Sequence, residues 1–160
     1  MNTTDLTATL TTLLAELVDG ARRESYVLNR GDPGLLRSLD ALSAADASQA
    51  ATGASIAAHV DHLRYGLSLM NRWGAGENPF SDADWSASWR ITTVSESDWQ
   101  RLRATLRTEA QRWLTAQRTP RDVSTIELNG IVGALAHLAY HLGAIRQIHR
   151  AAKGPAESLG

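Results

Sequence analysis

An all-α fold is what this sequence predicts, on three observations. Apolar residues recur at three- and four-residue intervals through long segments. Serines stand where N-caps are needed ahead of two of these segments, at Ser55 and Ser95. No stretch alternates convincingly as a strand would. The expectation is one domain over residues 1–160, built as a four-helix bundle.

The first helix is read from about Asp5 to Leu28, because Leu6, Leu10, Leu13, Leu14, Leu17 and Val18 repeat at helical spacing. "RGDPG" at Arg30 to Gly34 stops it. A turn or small helix within "LLRSLDALSAADASQ" leads to Ser55, which caps a second helix from Ile56 to about Trp73. Ile56, Val60, Leu63, Leu67 and Met70 form its buried side. "GAGENPFSDADWSASW" reads as a long connection that combines turn formers with Phe80, Trp85 and Trp89. A loop of that length in a small domain is often functional. Ser95, with Glu96 and Asp98 in the first turn, opens a third helix that ends near Gln117 and buries Leu102, Leu106, Ala110 and Trp113. After "RTPRDVS", a fourth helix is expected from about Thr125 to Lys153, with "KGPAESLG" fraying beyond it. The connections on either side of the second helix are the longest, so simple up-down-up-down topology need not hold.

Composition narrows the function classes. A chain of 160 residues with 43% hydrophobic content can bury one core of ordinary size, which leaves no need for a second domain. Sixteen basic against seventeen acidic residues give a net charge of −1, so no strong pull towards nucleic acid or an anionic membrane is expected. With no cysteine, disulfides, thiolate ligands and a cysteine nucleophile are all excluded. Histidine and carboxylates remain as the strong metal ligands, and any thiol chemistry must import its thiol. The N-terminus lacks a basic leader and nowhere do eighteen apolar residues run uninterrupted, so the expectation is a cytoplasmic protein without a membrane span.

The histidines carry the chemistry. In "AHLAYHLGAIRQIHR", His137 and His141 stand four apart, so their rings rise from adjacent turns of one face and can converge on a single point. Asn129, Arg146, Gln147 and Arg150 form the opposite, polar side of that helix, while Gly130, Gly133 and Ala144 leave room near the imidazoles. In "SIAAHVDHLRYGL", Asp61, Arg64, Ser68 and Asn71 share one face, and His59 and His62 lie opposite them. Four of the five histidines therefore fall on the buried arcs of two helices. An unsatisfied buried polar group costs about 1–3 kcal/mol, and a shared cation would satisfy several imidazoles together. Helical geometry alone does not choose between His59 and His62. Asp61 points about 100° from His62 and reads as a solvated charge. His149, among Arg146 and Arg150, reads as a surface residue.

These motifs resemble the DinB-like, YfiT-type family of metal-dependent four-helix bundles. In that family one helix opens with Ser or Thr and carries a ligand histidine seven residues later, and the last long helix carries H-x-x-x-H-x-G. Ser55 with His62-Leu63, and His137, His141 and Gly143, match these patterns. The resemblance runs from the first helix to Ile148 and implies an up-down-down-up bundle. It also implies a divalent metal held by His62, His137 and His141, with open positions for water or substrate. Its register favours His62 over His59, which is kept as a substitute ligand or pocket residue. Where members often have tryptophan before the Ser/Thr and glutamine after the glycine, this chain has Ala54 and Ala144, so the surroundings of the site differ.

Three neutral imidazoles suit Zn²⁺, Ni²⁺, Co²⁺ or Fe²⁺. An ion with an open position activates water or polarises a substrate oxygen, which makes hydrolysis or group transfer available. Some proteins that this one resembles transfer low-molecular-weight thiols, and others are mycothiol-dependent maleylpyruvate isomerases. The reading is therefore a metal-dependent enzyme of small molecules, a thiol S-transferase or a hydrolase. Its alternative is a non-catalytic bundle with a structural ion or a dimer contact. Glu24, Tyr26, Tyr65 and Tyr140 are available as acid, base or orienting groups but read better as packing or surface residues. Trp73, Phe80, Trp85 and Trp89 either lid an apolar pocket or, the favoured reading, close the end of the bundle or a homodimer contact. The arginines between Trp99 and Trp113 read as a solvated face rather than a nucleic-acid stripe.

Overall fold

The computed structural model describes residues 3–51, 53–119 and 121–155, which form six α-helices and two 3-10 helices with no strand among them. The α-helices are α1 (Thr3–Asp19), α2 (Gly34–Asp40), α3 (Ala44–Ala47), α4 (Ile56–Gly74), α5 (Glu96–Gln117) and α6 (Thr125–Ile148). The 3-10 helices are Ala87–Arg90 and Arg150–Ala152.

Serine caps fix where α3 to α6 begin. Ser43, Ser55, Ser95 and Ser124 each accept a hydrogen bond from the backbone N–H three residues on, which satisfies a donor the helix itself cannot pair. The apolar faces expected of α4 and α5 are buried, from Ile56 to Met70 and from Leu102 to Trp113. α4 packs against α5 and α6, and α1 packs against the same two helices. A continuous core runs between them through Leu17, Leu63, Leu106, Leu138 and Ile145. Trp99, fully buried, donates its indole N–H to the Leu42 carbonyl at 2.8 Å and so ties α5 to the α2–α3 segment.

Two boundaries differ from the sequence expectation. α1 ends at Asp19 instead of near Leu28. Gly20 takes φ +100°, and the chain turns there so that α1 ends against the start of α2, where Gly34 has φ +71°. A Cβ on either glycine would strike the backbone of the facing segment. The loop that follows is held by Glu16, whose buried carboxylate accepts from the backbone N–H groups of Tyr26, Val27 and Leu28. Helical spacing of apolar residues did not register this carboxylate-centred turn.

α6 stops at Ile148 instead of near Lys153, because His149 leaves the helical region at φ −131°, ψ 126°. The residues that follow do not fray at once. Ala152 is fully buried, Gly154 lies against Asp32, and Asn29 donates to the Pro155 carbonyl at 2.9 Å. The rest of the segment expected to fray, residues 156–160, lies outside the described residues. Arg146 belongs to this junction and not to a solvated face: its guanidinium meets the buried Asp32 carboxylate at 2.7 Å.

By length and composition α6 would suffice to cross a membrane, with mean hydropathy 1.3 over its most apolar window and 28% of that window buried. Its Ile131, Leu138, Leu142 and Ile145 face the core, while Val132 and Tyr140 are exposed. Three of the four α5 arginines are paired with acids: Arg101 with Asp98, and both Arg103 and Arg107 with Asp40.

Candidate metal centre

The two helical histidine pairs meet across the contact between α4 and α6. His62 Nε2 lies 3.0 Å from His137 Nε2, and His141 Nε2 lies 2.9 Å from the same atom. His62 and His141 are buried, and His137 is half-buried. The structure thus brings together the three histidines that the sequence motifs single out, with ligand atoms within 4.8 Å of one another. This cluster could hold a metal ion.

The donor chemistry fits such an ion. The Ser88 hydroxyl donates to the Trp85 carbonyl at 3.2 Å, so its oxygen is free to accept from Nδ1–H of His62 at 3.1 Å. That tautomer leaves the His62 Nε2 lone pair facing the other imidazoles. His141 Nδ1 meets His59 Nδ1 at 2.9 Å, and donation from His141 likewise leaves its Nε2 bare. Lone pairs converging at such distances repel unless a cation lies between them. Nitrogens around a tetrahedral zinc sit about 3.3 Å apart, so small outward movements would accommodate one.

His59 is placed by this network. Its Nδ1 faces the outer nitrogen of His141 and not the Nε2 cluster, so it orients the His141 ring instead of joining the cluster. His149 is outside the site. It caps the 3-10 helix Arg150–Ala152 and lies 3.1 Å from the Asp46 carboxylate, half-buried instead of on the open surface. Asp61 is not the solvated charge its position suggested: its side chain is half-buried and pairs with Arg64 at 2.7 Å.

Burial holds the imidazoles neutral. The His62 pKa is pushed down to about 4, first by burial and then by His137, and that of His141 down to about 3 for the same reasons in the same order. His59 and His137 are lowered by burial alone. Neutral rings are what a metal needs, since protons compete with it for the same lone pairs. The linkage sign follows: the unfolded chain, with histidines near 6.5, binds protons that the folded chain refuses. Stability of the metal-free protein is therefore full above about pH 6.5 and declines as pH falls through the window towards the folded values. We expect the melting temperature of chelator-treated protein to drop by several degrees between pH 6.5 and 5, and to drop less in His141→Gln. A flat profile in both would contradict the burial described.

The long connection between α4 and α5 runs antiparallel along α4 and is pinned at three points. The Asp84 N–H donates to the Tyr65 hydroxyl at 3.0 Å, Ser88 pairs with His62, and Ser55 donates to the Ile91 carbonyl at 2.8 Å. This anchoring lays Trp89 on His62 with ring centroids 4.3 Å apart, sets it perpendicular to the His59 ring with centroids 5.4 Å apart, and brings the Trp85 and His62 centroids to 5.5 Å. Trp85 and Trp89 therefore wall the histidine cluster, contrary to the end-closing reading, whereas Trp73 and Phe80 pack on one another near Gly130. Of the remaining polar candidates, Tyr65 holds the loop and Tyr140 stands edge-on to His141, while Glu24 and Tyr26 bond one another beside the Glu16 turn.

Ser88 is the residue sequence reasoning missed, since nothing in the spacing "WSASW" marks one serine as a partner of a histidine 26 positions earlier. Outer partners of ligand histidines typically contribute 10- to 100-fold in metal affinity. Ser88→Ala is expected to weaken metal binding about tenfold, as read by competition with a chromophoric chelator, while the helical circular dichroism is unchanged.

Beside the cluster a cavity of about 480 Å³ opens between α4 and α6, with His62 and His137 in its wall and Trp85 along one side. Comparison of the chain with protein-family models, curated proteins and solved structures finds no match.

Proposed function

We propose that this protein is a metal-dependent enzyme whose divalent ion, held by Nε2 of His62, His137 and His141, acts on a small molecule seated in the adjoining cavity. One observation carries the reading: three imidazole Nε2 atoms converge at the wall of a cavity large enough for a small substrate. When bound, such an ion would supply Lewis acidity, towards water, a substrate oxygen or an imported thiol. The protein's own residues do the rest. Ser88 and His59 fix two ligand tautomers, Trp85 and Trp89 keep water from one side, and the cavity binds the substrate body.

Hydrolysis and transfer to a low-molecular-weight thiol are the reaction classes we favour, and the absence of cysteine means that any thiol comes from outside the chain. The resemblance to DinB-like proteins, on Ser55, His62, His137, His141 and Gly143, supports this reading. It supports likewise the proposal that α1, α4, α5 and α6 form an up-down-down-up four-helix bundle. The alternative is a non-catalytic bundle with a structural ion, which would use four protein ligands; the placement of His59 outside the Nε2 cluster favours an open site.

The test is elemental analysis of untagged protein before and after challenge with Zn²⁺, Ni²⁺, Co²⁺ and Fe²⁺, followed by visible spectroscopy of the Co²⁺ form with added azide. Near-stoichiometric metal and a spectrum that shifts with azide would support an ion with an exchangeable position. Metal uptake with a spectrum indifferent to azide would favour the structural alternative, and no uptake at all would overturn both.

A further inference from the structure

The cavity beside the histidine cluster has a chemical character that narrows what it can take. Among the described residues its only polar side chains besides the Trp85 indole are His62 and His137, which lie together in the wall. The rest is Leu63, Leu67, Met70, Ala134 and Leu138 with the bare backbone of Gly66 and Gly133, and among the described residues no lysine, arginine, aspartate or glutamate lines it. A charged or many-hydroxylated ligand body would lose water there without gaining partners, at a cost of a few kcal/mol for each such group (roughly 2–7).

The two glycines create the space. A Cβ on Gly66 would stand 3.5 Å from the Trp85 ring and 3.7 Å from His137, so a side chain there would fill the gap between tryptophan and imidazole. A Cβ on Gly133 meets nothing within 4 Å, so the α6 side of the cavity is open where a larger residue would occupy it. Trp85 is itself held over Gly66 by ring contacts to His62 and Tyr65, each with centroids 5.5 Å apart. A flat apolar group entering between Gly66 and Gly133 meets an aromatic face on one side and leucine and methionine side chains on the other.

We propose that the substrate of this site has an uncharged apolar body, best an aromatic ring on a short aliphatic arm, and a single metal-binding head group that reaches His62 and His137, with Gly66, Gly133 and Trp85 as the specificity-determining residues. The head group rests on the metal reading above; the apolar body rests on the cavity alone. Multiply charged co-substrates are excluded from the cavity by the same composition.

Two probes of one chelating chemistry separate these parts: 4-phenylbutanehydroxamate and acetohydroxamate, titrated calorimetrically into Co²⁺-loaded protein of measured metal content. The phenyl compound is expected to bind at least about thirtyfold tighter, given about 0.8 kcal/mol for each buried methylene-sized apolar group. Gly133→Leu and Gly66→Ala are expected to reduce that preference to fivefold or less while metal content and acetohydroxamate binding hold. Gly143→Leu, on the same helix and also with nothing within 4 Å of its Cβ, is expected to leave the preference intact. Equal binding of the two hydroxamates to metal-loaded wild type, or an undiminished preference in both Gly66→Ala and Gly133→Leu, would overturn the proposal.

If no metal loads, the same variants are read with 4-phenylbutanol by tryptophan fluorescence of the metal-free protein. Binding weakened by Gly133→Leu but not by Gly143→Leu would then uphold the apolar cavity while the metal reading falls. No binding would overturn the cavity proposal as well.

Discussion

Alanine at His62 or His137 is expected to leave the purified protein without metal, whereas alanine at His59 leaves a near-stoichiometric, weaker site. Structural zinc sites with four ligands contribute about 10–16 kcal/mol, so each ligand accounts for about 3 kcal/mol and its loss weakens binding on the order of a hundredfold or more. The two ligand variants remove Nε2 atoms that lie 3.0 Å from one another. His59→Ala removes only the partner of His141 Nδ1, a change worth about tenfold. All three positions are inside helices where alanine is the best helix former, so circular dichroism should stay helical. Elemental analysis and chelator competition read the outcome. Metal retained by His62→Ala or His137→Ala would remove those residues from the ligand set. Equal losses in His59→Ala and His62→Ala would instead make the site four-coordinate and structural.

How much of this was legible in the sequence depends on the range of the interaction that decides each feature. α4 and α5 were legible because caps and apolar period act within a few residues: Ser55 and Ser95 accept the bonds their positions promise, and the faces from Ile56 and from Leu102 are buried. The end of α1 was not, because it is set by Gly20 meeting Gly34 and by Glu16 gathering three backbone N–H groups from beyond the turn. At the site, helical spacing put four histidines on two facing arcs but could not distinguish His59 from His62, since both lie on the same side of α4. The distinction appears only where ring atoms meet: Nε2 of His62 faces the cluster, and Nδ1 of His59 faces the back of His141. Ser88 and the two tryptophans reach the site through a loop anchored at Tyr65, His62 and Ser55, contacts that no periodicity encodes.

Arg146→Met is expected to be strongly destabilising, at about 3–5 kcal/mol, because it leaves a carboxylate buried without its counter-charge. The Asp32 side chain is 2% exposed and its oxygen accepts from the Arg146 guanidinium at 2.7 Å and from the Gly34 N–H at 2.8 Å. Arg146 also donates to the Ala152 carbonyl at 3.0 Å, so one side chain joins the end of α6, the start of α2 and the segment after α6. Without the guanidinium, the Gly34 N–H is the one donor to this carboxylate left among the described residues. Methionine keeps much of the packing volume, which separates the charge effect from a cavity. The double variant Asp32→Asn with Arg146→Met removes both charges, and it should recover a large part of the loss, since replacing a buried pair by neutral groups is often close to neutral. Urea denaturation of the two single variants and the double variant measures the coupling. If Arg146→Met costs less than about 1 kcal/mol, as a solvated surface ion pair would, the junction is not held by this pair. If it costs the full amount and the double variant does not recover, the Gly34 N–H and the Ala152 carbonyl, left without partners of equal strength, are what Arg146 and Asp32 stabilise.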